Sequence, residues 1–248
     1  MALWDTTLSA VEVAQTTGIA VEKSPYEFKP GPYSSHTLAL QMLPEKGEGR
    51  YVLDVGCGLG YMSELLAARG YFVVGIEHPG AILQAASANV QFMEADLESG
   101  LPHLNRTFDF VLCLDVLEHL REPVKLLREI ARTLSPNGRL VASLPNSGNI
   151  YFRLNVLFGR FPADDRGLFD RTHLHFYTWA GWIDLFAAGG FGIRGVQPSS
   201  LPFGFALHRA ADSGLVLMLE TVWHWLSRAW KKLFAYQFVV TAVPRQRS

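Results

Sequence analysis

The residues with the clearest chemical potential are an acid and three spaced glycines, Asp54-Val-Gly56-Cys57-Gly58-Leu-Gly60. Glycine tolerates positive φ and carries no Cβ, so a turn built this way lets a ligand approach the backbone. The dinucleotide fingerprint G-x-G-x-x-G would need a glycine at position 61, which is Tyr61. The spacing therefore argues for an adenosine ligand other than a dinucleotide. A second group, Asp115-Val-Leu-Glu118-His119, and a third, Asp170-Arg171-Thr172-His173-Leu-His175, bring carboxylates and imidazoles. Histidine titrates near neutral pH and is the usual side chain for taking a proton from a hydroxyl, which makes His119, His173 and His175 candidate bases. If residues 170–175 are extended, His173 and His175 share one side of the chain.

These groups need elements to hold them. Tyr51 to Val55 reads as a buried strand running into the glycine turn, and Met62, Leu65 and Leu66 give the following segment helical spacing. The strand Tyr71–Ile76 ends at Glu77, 21 residues beyond Gly56, close to the distance of roughly 20 residues at which an acid can take a ribose diol. A short helix over Pro79–Asn89 and a strand over Val90–Glu94 follow. Phe108–Leu114 is nearly all apolar, as a central parallel strand covered on both faces should be. A helix over Glu122–Leu134 with a solvated charged face, then a strand over Arg139–Leu144, complete a strict alternation. That is the pattern of a doubly wound α/β fold with ligands at the carboxyl ends of its strands.

The glycine motif and its downstream partners resemble the class I S-adenosylmethionine-dependent methyltransferases, in particular the bacterial branch that includes the ubiquinone-pathway O-methyltransferases. The resemblance covers residues 50–145 strongly and the remainder loosely. It implies a seven-stranded, mostly parallel Rossmann-like sheet whose last strand is antiparallel, with S-adenosylmethionine as cofactor and S-adenosylhomocysteine as product. It implies cofactor contacts from Asp54, Gly56, Cys57, Gly58, Gly60 and Glu77. Asp96 would meet the adenine amino group with Leu97 beside it, although Asp96 also suits a helix N-cap. His78 is placed near the adenine or simply in solvent. Leu114 and Asp115 fall beside the sulfonium, and Tyr33, with Tyr26 and Phe28, is a candidate lid aromatic. Asp115, Glu118 and His119 are similar to the metal-binding Glu-x-x-Glu-His of the ubiquinone-pathway enzymes, with Asp in first place; a metal is the minority reading, and none is expected.

One domain accounts for all 248 residues. Within it the reading distinguishes an arm over 1–48, a cofactor core over 49–146, an insertion over 147–178, and a C-terminal part over 179–248 that contains a second insertion, 198–234. The first insertion, rich in arginine, histidine and aromatics, is expected to be a substrate lid, with Asn146, Arg153, Asp170 and Arg171 orienting an acceptor. A helix Trp179–Ala188 and a strand Phe191–Val196 precede the second insertion. There, Trp223, Leu226, Trp230 and Leu233 repeat at helical spacing over 214–234, which favours core packing or a lid over an interfacial or partner-binding helix. Tyr236–Val243 is the last strand.

A net charge of −1 and a pI near 6.7 give no global basic field, so nucleic acid is not an expected partner. Two cysteines and no recognisable signal peptide suit a reducing, cytoplasmic setting. The leading expectation is methyl transfer to a small molecule, most often at a phenol, sugar or lipid-linked hydroxyl. The alternatives are a non-catalytic S-adenosylmethionine-binding subunit, a C- or N-methyltransferase, and a metal-dependent RNA 2′-O-methyltransferase. Oligomeric state is not legible in the sequence.

Overall fold

The computed structural model describes residues 29, 31–80, 85, 87–203 and 214–245. Tyr26, Phe28 and residues 81–84 and 86 of the expected helix after Pro79 lie outside them. The strands are β1 Tyr51–Val55, β2 Phe72–Glu77, β3 Val90–Glu94, β4 Phe108–Leu114, β5 Leu134–Pro145, β6 Phe191–Pro198 and β7 Gln237–Pro244. They form one sheet of seven strands in the order β3-β2-β1-β4-β5-β7-β6. β7 runs antiparallel to both neighbours, and the pairings among β1 to β5 are parallel. The order reverses between β1 and β4, which opens a crevice at their carboxyl ends.

The helices are α1 Ser35–Gln41, α2 Tyr61–Ala68, α3 Pro123–Thr133, α4 Ile150–Leu157, α5 Trp179–Ala188, α6 Gly214–Ala229 and α7 Lys231–Phe234. Both sheet faces are covered, and strand alternation assigns each residue to a face. On one face Leu53, Val55 and Val111 meet Leu127 and Ile130 of α3 and Trp182 of α5. On the other, Val52, Val73 and Leu112 meet Leu38 of α1 and Leu65 and Leu66 of α2. Asp54 shares the face of Val52 and is therefore buried under α2, where Ser63 Oγ donates to its Oδ2 over 2.7 Å.

Local chemistry explains where the helices begin. Ser34 Oγ accepts from Thr37 N at the start of α1, Pro123 occupies the first turn of α3, and Asn149 Oδ1 accepts from Tyr151 N at the start of α4. The charged face of α3 is more than solvated: Lys125 Nζ donates to Ser99 O and Arg128 to Ala188 O. β5 begins earlier than Arg139, because Leu134 pairs with Phe108 and Ser135–Gly138 bulge out before Arg139 pairs with Phe110.

The segment after Asn146 has its own small core. Phe152 stacks on Phe169 at 4.5 Å, and Leu168 and Tyr236 pack with them. The expected helix over 214–234 divides at Trp230, whose φ of −143° and ψ of 72° end α6 and start α7. Its packing meets the expectation in part: Val216 is buried and Trp223 and Leu233 are half-buried, but Glu220 and Ser227 are buried on the same inner face, while Leu226 and Trp230 are exposed.

Candidate active site

The glycine turn sits at the carboxyl end of β1, and each glycine has a separate steric reason. A Cβ at Gly56 would lie 2.5 Å from Val116 Cγ2, and one at Gly60 would lie 2.5 Å from Phe92 Cζ. At Gly58 a Cβ would meet nothing within 4 Å, so that residue borders open space. Gly56 N and Cys57 N donate to Ile76 O, tying the turn to β2. Glu77, at the end of β2, accepts from Gly58 N through Oε2 at 2.6 Å and from His78 N through Oε1 at 2.9 Å. The acid and the turn thus form one unit. Burial, reinforced by the charge of Glu77 and opposed by the Ser63 hydroxyl, pushes Asp54 up to about 6. Burial, reinforced by the nearby Asp54 charge, pushes the Cys57 thiol well above its usual range.

The remaining expected cofactor residues border the same edge. His78 is exposed, with Nδ1 beside Pro79 O. Asp96 is exposed, and its Oδ1 caps the following turn by accepting from Glu98 N. Leu97 packs against the α3 side of the sheet and Leu114 against the α2 side. Tyr33 stacks on His224 of α6 at 4.1 Å.

Asp115 follows β4 in a left-handed conformation, φ 55°. Among the described residues Asp115 does not join the ligand atoms that converge at Glu118 and His119, so the minority metal reading on Asp115, Glu118 and His119 does not form as that triplet. Instead, Oδ1 accepts from Ser143 Oγ at 2.5 Å and Gln237 Nε2 at 2.7 Å, and Oδ2 pairs with Lys29 Nζ. Burial opposes ionisation, but the Lys29 ammonium and these hydrogen bonds hold Asp115 well below the usual carboxylate range. Lys29, Ser143 and Gln237 have no sequence signature that would have placed them here.

A second cluster lies just beyond. Leu117–His119 is a single 3₁₀ turn with Glu118 buried beneath it. Thr172 Oγ1 donates to Asp170 Oδ1 at 2.6 Å and lies 3.0 Å from His119 Nδ1. With its proton committed to Asp170, Thr172 accepts from His119. The network assigns the Nδ1–H tautomer and leaves Nε2 as the basic nitrogen. The His119 and His173 rings are 4.7 Å apart, and His173 Nε2 is 3.9 Å from Glu118 Oε1. Burial first, and the neighbouring His119 second, lower His173 to about 4. Burial and the charge of Asp115 raise Glu118 well above its usual value, and its Oε2 has no hydrogen-bond partner. Among the described residues, Glu118, His119 and His173 are a set that could hold a cation, with ligand atoms within 4.8 Å of one another.

Several expected residues are engaged elsewhere. His175 stacks on Tyr177 at 5.2 Å and does not join the His119–His173 pair. Asn146 is buried, with Nδ2 donating to Ala235 O and Oδ1 accepting from Gly148 N, so it knots the chain between β5 and β7. Asp170 is buried and holds Thr172, and exposed Arg171 pairs with Asp165. The Asn146 amide serves the fold, because a buried amide must find partners within the chain, whereas Asp170 reaches His119 through Thr172. Arg153 binds Gly148 O through Nε, and its side chain lines an open cleft of about 390 Å³ with Phe152 and Leu157.

A family model described as a methyltransferase domain matches residues 32–194. This chain belongs to the class I S-adenosylmethionine-dependent methyltransferases. The match runs from the start of α1 into β6, and so includes the glycine turn and the His119 cluster. The ubiquinone biosynthesis O-methyltransferase of Pseudomonas fluorescens (strain Pf0-1) is 35% identical over 129 residues, 48% of this chain and 55% of the relative. That of Coxiella burnetii (strain Dugway 5J108-111) is 32% identical over 106 residues, 40% of this chain and 45% of the relative. The chain thus spans about half the length of the curated relatives it matches. Among solved structures, an S-adenosylmethionine-dependent methyltransferase from Mesorhizobium loti superposes with a TM-score of 0.56 at 20% identity, covering 84% of this chain and 97% of that one. A chain from the complex of the Haloferax volcanii Trm112 methyltransferase activator with a methyltransferase gives a TM-score of 0.59 at 19% identity, covering 85% and 90%. These two structures share the fold.

Proposed function

We propose that this methyltransferase transfers the methyl group of S-adenosylmethionine to a hydroxyl oxygen of a small-molecule acceptor. The observation that carries the choice of oxygen is the Asp170–Thr172–His119 chain, which leaves an unprotonated imidazole nitrogen just past the end of β4. The identity to ubiquinone biosynthesis O-methyltransferases supports the same choice. S-adenosylmethionine supplies an electrophilic methyl and leaves as the thioether S-adenosylhomocysteine. The chain's part is to align the acceptor oxygen with that methyl and to receive the hydroxyl proton on His119 Nε2.

In this reading Gly58 offers open backbone to the cofactor, and Glu77 exchanges its bond to Gly58 N for the ribose hydroxyls. Asp96 and Leu97 flank the adenine, while Asp115 and Leu114 border the methionine end. The segment 147–178 closes over the acceptor, and Arg153, a substrate-orienting candidate, lines the cleft beside Phe152 and Leu157. A reducing compartment such as the cytoplasm suits the free thiols Cys57 and Cys113.

A second reading places a divalent cation on Glu118, His119 and His173, favoured by the unpartnered Glu118 Oε2. A cation there would keep Glu118 ionised and help position the acceptor oxygen. The test is turnover of phenolic, sugar and polyprenylated hydroxyl acceptors, assayed by S-adenosylhomocysteine release with and without chelator. Chelator-resistant turnover that falls about a hundredfold in His119→Asn supports the first reading. Turnover lost to chelator and restored by added magnesium or zinc supports the second. Methylation confined to amine or carbon acceptors would overturn the oxygen assignment.

A further inference from the structure

Helix α6 carries apolar side chains on both faces. Its inner face buries Val216, Glu220 and Ser227 and stacks His224 on Tyr33, whereas its outer face presents an apolar stripe. Leu215, Met218, Val222, Trp225 and Leu226 recur at helical spacing on that side, with Met218 54% and Trp225 64% exposed. A helix that turned this stripe to the core would have buried it, and this one turns Val216, Glu220 and Ser227 inward instead. Exposed apolar stripes of this extent mark a contact surface.

The residue types beside the stripe indicate what that contact is. Trp225, Arg228, Trp230, Lys231 and Lys232 follow the aliphatic turns in that order. An apolar face flanked by tryptophans and cations is the residue set of a helix that lies in the interface of a bilayer. The carbonyls of Phe234 and Ala235, at the end of α7, accept from Asn149 Nδ2, which brings the start of α4 alongside. α4 and the residues after it expose Leu157, Phe158 and Phe161 together with Arg153 and Arg160. Every exposed charge on residues 150–161 and 214–234 is positive, and Glu220, the acid there, is buried. This sits on a chain with a formal net charge of −1.

We propose that α6 and α7 dock this methyltransferase in the plane of an anionic phospholipid surface. The cations meet the headgroups, and Trp225, Trp230 and the aliphatic stripe enter the boundary of the acyl chains. The 16 residues of α6 extend about 24 Å, short of the roughly 30 Å of a bilayer core, and no helix among the described residues is long and apolar enough to cross a membrane. Docking is therefore peripheral. The inner face of the same helix holds Tyr33 through its stack on His224.

The test is flotation of the full chain with phosphatidylcholine vesicles containing or lacking phosphatidylglycerol, together with tryptophan emission. The expected result is flotation and a blue shift with phosphatidylglycerol, at least tenfold weaker binding to phosphatidylcholine alone, and release by high salt. The triple variant Met218→Ser, Val222→Ser, Trp225→Ser alters only exposed positions and should lose vesicle binding at least tenfold with an unchanged melting temperature. Lys231→Glu with Lys232→Glu should remove the preference for phosphatidylglycerol. Three results would overturn the proposal: no flotation with either vesicle, equal binding to both, or a dimer in solution that the triple variant dissociates while vesicles bind neither protein. None of these readouts depends on methyl transfer, so the acceptor assignment stands or falls separately.

Discussion

His119 owes its proposed chemistry to residues that touch it rather than to its own position in the chain. Thr172 is fixed by Asp170 through both its amide and its hydroxyl, and so fixes which imidazole nitrogen is free. Replacing Thr172 with Val should lower kcat while leaving cofactor affinity unchanged, and should move the acidic limb of the kcat profile, where a general base is lost to protonation; a KM effect alone would argue against positioning. His173 makes a separate prediction about stability. Its pKa falls from 6.5 to about 4 on folding, so the unfolded chain binds a proton that the folded chain refuses. The stability associated with neutral His173 is present above pH 6.5 and is lost as pH falls toward 4. Denaturant melts at pH 7.5 and pH 4.5 should show a smaller difference for His173→Asn than for wild type, by on the order of 2–3 kcal/mol.

At the scale of elements, α5 is tied to the end of β5 through one side chain. Trp182 is fully buried, and its indole nitrogen donates to Pro145 O at 2.8 Å. Trp182→Ala removes that bond and leaves a large cavity, and should cost about 3–5 kcal/mol in a urea titration. The boundaries of α5 were legible residue by residue, because an apolar run between Thr178 and the Gly189-Gly190 pair marks both ends. The glycine turn and the spacing to Glu77 were legible for a similar reason: a turn that must approach a ligand writes its backbone demands into local residue types. The surroundings of Asp115 were not. Its partners Ser143, Lys29 and Gln237 are 28, 86 and 122 residues away and meet only when β4, β5, β7 and the arm converge. Helix α6 was legible as amphipathic but its buried face was not, since periodicity reports that two faces differ and not which of them the fold covers.

At the scale of the molecule, the strand order places everything proposed to be functional at one edge. The reversal between β1 and β4 leaves a crevice flanked by the glycine turn and Asp115, and the segments after β4, β5 and β6 all return to that edge. Methyl-donor binding at the turn is the claim on which the rest depends, and Gly58 isolates it. A methyl group there meets nothing in the protein, and the only expected penalty to folding is backbone strain of about 1–2 kcal/mol at its φ of 56°. The most direct measurement is a calorimetric titration of wild type and Gly58→Ala with S-adenosylhomocysteine, alongside their thermal melts. The account predicts one-to-one binding by wild type and affinity at least tenfold weaker in Gly58→Ala, with a melting temperature only a few degrees lower. No binding by wild type, or equal binding by both, would contradict it.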